Sequence, residues 1–60
     1  MRSDLPKDPY ILLSFVNTQL RDRFVSLDAF CEEYEVSCEE LAGQLQAIDY
    51  QYDPGRNQFI

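Results

Sequence analysis

The chain has 60 residues, 45% hydrophobic, 13% aromatic and 27% charged, and eleven acidic against five basic side chains leave a formal charge of −6. It has no histidine, no tryptophan and only two cysteines, Cys31 and Cys38, so neither a Ser-His-Asp nor a Cys-His set can be assembled in one chain, and the paired spacing of a zinc site is missing. No apolar run approaches the ~18 residues of a membrane span, and a chain this short rarely encloses a pocket deep enough to tune a carboxylate pair, so the expectation is one small domain, no enzyme, no cofactor and no metal.

The N-terminus carries basic residues without an apolar segment behind them, which predicts no secretory signal and a cytoplasmic location with both thiols free and one of them in the core. Residues 1–8 read as extended, because Pro6 and Pro9 bias the residues before them away from the helical region. Asp8-Pro9 is a helix start: the carboxylate accepts from the free N–H groups of the first turn, and proline at the first helical position lacks only a donor that has no helical partner anyway.

Helix 1 is predicted over 9–24, with Leu12, Leu13, Val16, Leu20 and Phe24 on one face. Ile11 and Phe15, one turn apart, fall on another side with Thr18, Gln19 and Asp22. This second apolar patch is covered either by another part of the chain, the C-terminal hairpin being a candidate, or by another chain. Lys7 and Asn17 fit no stripe, and a polar contact between the extended N-terminus and helix 1 is the one role the sequence suggests.

Ser26 caps a second helix over 27–34, with Asp28 at the positive end of its dipole and Leu27, Phe30, Cys31 and Tyr34 as the buried stripe. Ser37-Cys38-Glu39-Glu40 is a capping-box pattern opening a third helix over 38–48, lined inside by Leu41, Leu45 and Ile48 with Ala42 beside them. Beyond Asp49 the period becomes twofold. Tyr50 and Tyr52 alternate with polar residues, Pro54-Gly55 suits the centre of a type II turn, and Gln58-Phe59-Ile60 returns, which predicts a hairpin over 50–60 with Tyr50 opposite Phe59.

Helix, two helices joined by a tight turn, then a hairpin is the order of a minimal winged helix. The predicted class is therefore α+β with a helix-turn-helix centre; the alternative is an all-α three-helix bundle with an irregular tail. Cys31 stands where such a motif wants a small residue, and Val36 and Leu41 fall on its apolar anchors. Glu35 occupies the turn position where glycine is usual, which suggests a longer or differently closed connection.

A helix-turn-helix that reads DNA needs cations facing phosphates. Between Phe24 and Gly55 there is no Lys or Arg, while Asp28, Glu32, Glu33, Glu35, Glu39, Glu40, Asp49 and Asp53 all lie there. The would-be reading helix presents Cys38, Glu39, Gly43, Gln46 and Ala47 outward, so nucleic acid is disfavoured and a protein partner or a second copy is favoured. The candidate interaction surface is Ile11, Phe15, Glu39, Glu40, Gly43 and Ala47, where the two small residues let another backbone come close. The alternative is a nucleic-acid-binding transcriptional regulator using Arg21, Arg23 and Arg56. A redox role for Cys38 is a minor reading: a helix N-terminus lowers a thiol pKa, but Glu39 and Glu40 oppose it.

Leu5-Pro6-Lys7-Asp8-Pro9 followed by Leu12-Leu13-Ser14-Phe15-Val16-Asn17 resembles a family of short bacterial proteins, domain of unknown function family 4250. The likeness continues through Ser26-Leu27-Asp28 and the glutamate-rich centre to Asn57-Gln58-Phe59. It implies a stand-alone bacterial protein of about this length, and it carries over no functional residue.

Overall fold

Three helices and a two-stranded antiparallel hairpin follow one another: α1 (Pro9–Asp22), α2 (Leu27–Tyr34), α3 (Cys38–Gln46), β1 (Tyr52–Asp53) and β2 (Gln58–Phe59). The computed structural model describes residues 5–60, so residues 1–4 of the predicted extended segment, Arg2 among them, lie outside the described residues. The fold is α+β, with the three helices and C-terminal hairpin that the sequence predicts.

Each helix starts where its cap requires. Asp8 accepts from the N–H of Tyr10 at 2.8 Å and of Ile11 at 3.4 Å, Ser26 from Ala29 at 3.2 Å, and Ser37 from Glu40 at 3.3 Å.

The helix ends differ from the predicted ones. α1 stops at Asp22 and α3 at Gln46, two residues short of 24 and 48. α2 and α3 both close by the same device. The N–H of Val36 reaches the carbonyl of Cys31 at 3.0 Å and that of Glu35 reaches Glu32 at 3.3 Å; Tyr50 reaches Leu45 at 3.0 Å and Asp49 reaches Gln46 at 2.9 Å. These are Schellman closures, and the left-handed residue in each is acidic: Glu35 at φ 57° and Asp49 at φ 68°. The α2–α3 turn is thus the ordinary tight one rather than a longer connection, with glutamate strained into glycine's place.

The core is Leu12, Val16 and Leu20 of α1, Leu27, Phe30 and Cys31 of α2, Leu41 and Leu45 of α3, and Phe59 of β2. Burying a side chain such as Phe30 contributes about 2–3 kcal/mol. Phe30 stacks on Tyr34 at 4.6 Å between centroids and takes the edge of Phe24 at 5.6 Å, while Phe15 meets Tyr34 edge-on at 5.9 Å. Phe15 is therefore covered by α2, not by the hairpin. Its predicted neighbour Ile11 is 59% exposed and does not share that cover.

The hairpin register is shifted two residues from the predicted one: Tyr52 faces Phe59 and Asp53 faces Gln58. Because side chains alternate with period two, the shift exchanges one tyrosine for another and keeps the aromatic pair, with Tyr52 and Phe59 centroids 5.5 Å apart. The turn is not type II either. Gly55 does not take a positive φ; the left-handed position belongs to Asn57 at φ 54°, and the Arg56 N–H closes on the Asp53 carbonyl at 3.2 Å. A four-residue loop of this kind displaces the pairing relative to the two-residue loop that Pro54-Gly55 suggests.

Candidate functional site

The outward face of α3 begins at its cap. Ser37 fixes the first turn, Leu41 and Leu45 turn inward, and Glu39, Glu40, Gly43, Gln46 and Ala47 are left exposed. A Cβ added at Gly43 would meet nothing within 4 Å beyond its own helix backbone and chain neighbours, so no packing among the described residues requires glycine there. Glycine in a helix interior costs about 1 kcal/mol against alanine. The adjoining carboxylates Glu32, Glu33 and Glu35 are exposed as well.

Cys38 is the exception to the predicted outward set. It is half-buried against the core, its thiol 3.5 Å from Asp28 Oδ1 and 4.0 Å from the Leu27 carbonyl. Cys31 is buried and Cys38 lies beside it; both thiols are free. Burial, followed by the neighbouring Cys38 thiol and the charge of Asp28, pushes the Cys31 pKa up to about 12.

The predicted surface is therefore divided. Glu39, Glu40, Gly43 and Ala47 share the face of α3, Ile11 stands on α1 beside exposed Tyr10, and Phe15 belongs to the aromatic cluster.

The arginines have local partners. Arg21 Nε donates to Asp22 Oδ1 at 2.9 Å, which raises the arginine pKa and lowers that of the aspartate through the hydrogen bond itself. Arg56 Nε lies 3.8 Å from Asp53 Oδ2, and Arg23 lies over the Phe24 ring at 5.8 Å. Lys7 lines a cavity of about 300 Å³ between the N-terminal segment and the start of α3, together with Leu5, Val36, Glu40 and Gln44. Among the described residues no three side chains of the His, Cys, Asp or Glu type are placed to hold a metal ion, and no helix is long and apolar enough to cross a membrane.

Sequence reasoning missed the residues that fix the hairpin. Gln51 and Ile60 exchange both backbone hydrogen bonds at 2.9 Å, so the adjacent pair, Tyr52 and Phe59, points its backbone groups away from each other's strand. On the β2 side Asn17 supplies what a third strand would: its Oδ1 accepts the Phe59 N–H at 2.8 Å and its Nδ2 donates to the Phe59 carbonyl at 3.1 Å. Among the described residues Asn17 makes this contact and none with the N-terminal segment, where the sequence suggested one.

Asn57 does the equivalent for the end of α1. Its Nδ2 donates to the carbonyls of Leu20 and Phe24, both at 3.0 Å, and its Oδ1 accepts from the Tyr52 hydroxyl at 2.6 Å. That hydroxyl accepts the Leu27 N–H at 3.2 Å, joining the hairpin to the start of α2. The only signal in the sequence was that Asn17 fitted no stripe and that Asn57 tolerates a left-handed backbone.

A family model described as Domain of unknown function (DUF4250) matches residues 6–59. No curated protein and no solved structure matches the chain.

Proposed function

The chain belongs to the family described as Domain of unknown function (DUF4250), and from that premise we propose that it is a small non-enzymatic interaction module of the bacterial cytoplasm, using a helix-turn-helix scaffold to engage another protein. The observation that carries this reading is the outward face of α3: exposed Glu39 and Glu40 beside a glycine with open space above it. A reading helix for nucleic acid would meet phosphate oxygens with these carboxylates, a repulsion that grows as water is excluded. A protein partner with a basic surface meets them favourably, and the missing side chain at Gly43 lets its backbone approach.

The test sets two probes against each other at low salt. An oligo-lysine peptide is expected to bind, weakening with added salt and with Glu39→Gln/Glu40→Gln, while a generic DNA duplex is expected to show no mobility shift. Salt-sensitive duplex binding in the micromolar range, lost on replacing Arg21, Arg23 and Arg56, would transfer the assignment to a nucleic-acid-binding regulator.

A further inference from the structure

The inner edge of the hairpin is closed by Asn17, but its outer edge is open. By the same register, the backbone groups of Tyr52 point away from β2, and the Tyr52 N–H has no partner among the described residues. Two cavities of about 330 and 290 Å³ flank this edge and share Tyr52 and Pro54 as a common wall. Ile60, 50% exposed, lines the first; Val25, 88% exposed, lines the second.

The charge around the pair has one sign. Asp49 and Asp53 line the first cavity and Asp28 the second, and no Lys or Arg lines either. Arg56 offsets part of the Asp53 charge from 3.8 Å, whereas Asp28 and Asp49 form no ion pair among the described residues.

We propose that this edge is a docking site for an extended segment of a partner protein in which apolar residues alternate with lysine or arginine. A carbonyl of that segment would accept the Tyr52 N–H, as in strand addition to an open sheet edge. Its apolar side chains would pack on Val25, Pro54 and Ile60, and its cations would meet Asp28, Asp49 and Asp53. A second copy of this chain is the poorer occupant, because pairing the edge with itself brings Asp49 and Asp53 towards their own counterparts. The site is separate from the α3 face and stands or falls independently of it.

The test is a titration of isotope-labelled protein with a synthetic peptide alternating lysine with valine, read by amide chemical shifts. The expected shifts concentrate on Gln51, Tyr52, Ile60 and Val25 to Asp28, with slowed exchange of the Tyr52 amide. Asp28→Asn/Asp49→Asn should weaken binding about tenfold, and Val25→Asp should weaken it comparably while leaving the spectrum of the free protein dispersed as before. Asparagine suits the left-handed backbone at position 49 and keeps an oxygen for the Cys38 thiol at position 28, and an unchanged dispersed spectrum of the free double variant separates lost charge from lost folding.

Three results would overturn the proposal. One is equal binding by a peptide alternating lysine with serine. Another is a shift pattern spread over the glutamates of α2 and α3, which would leave the α3 reading standing alone. The third is concentration-dependent shifts of the hairpin amides without peptide, which would give the edge to a second copy.

Discussion

From Ser26 to Tyr50 every helix end is closed by a group at most five residues away: Ser26 on Ala29, Val36 on Cys31, Ser37 on Glu40, Tyr50 on Leu45. From Tyr52 to Ile60 the bonds that hold the hairpin against the helices reach 25 to 42 residues back, to Leu27, Phe24, Leu20 and Asn17. The helical pair is specified locally and the hairpin by remote side-chain amides. A two-stranded hairpin this short has no independent stability in water, so the remote bonds and the burial of Phe59 decide whether it is a fixed surface or a loose tail.

The sharpest way to break this comparison is Asn57→Ala. It removes the donor from the carbonyls of Leu20 in α1 and Phe24 just beyond it, and the acceptor of the Tyr52 hydroxyl, and it places a Cβ residue without a compensating side chain at φ 54°. We expect a loss of about 3 kcal/mol in denaturant unfolding; a loss below about 1 kcal/mol would mean that Asn17, the Tyr52 hydroxyl and Phe59 packing hold the hairpin without the Asn57 amide. Tyr52→Phe tests the link to α2 and should cost about 1–2 kcal/mol, because the Leu27 N–H loses its acceptor.

Replacing Glu35 acts in the opposite direction within the helical pair. Glu35→Gly relieves a left-handed glutamate and should raise stability by about 0.5–1 kcal/mol in the same assay; a loss would show that the glutamate side chain outweighs the strain of its backbone.

The smallest effect near neutrality concerns Cys31, whose thiol is held neutral in the folded protein. Its pKa rises from 9.0 to about 12, so its contribution is complete below pH 9 and is lost as pH rises towards 12, where the unfolded chain alone ionises. Thermal melts should fall over that alkaline interval, and Cys31→Ala should flatten the slope.

The same division explains what could be read from the sequence. Caps, stripes and the tight turn depend on residues within a helical turn or two of one another, so Asp8-Pro9, Ser26 and Ser37 announced their helices. The register of the hairpin could not be read that way, because Pro54-Gly55 carries a strong local turn signal that Asn57 overrides from its contacts with α1. Phe15 was legible as part of a second apolar patch but not as the partner of Tyr34, since only the packing of α2 on α1 brings those rings together. The acidic sign of the α3 face was plain from composition. The open edge at Tyr52 was not, because it follows from a register that local signals placed two residues away.

The account rests most heavily on Asn17 acting as the missing strand beside Phe59. Amide hydrogen exchange at Phe59 tests this directly, because that N–H points away from its strand partner and has only the Asn17 oxygen to protect it. Strong protection in the native protein, abolished in Asn17→Ala while the α3 amides stay protected, is the predicted result. A Phe59 amide that exchanges in the native protein as fast as an exposed strand edge would contradict it.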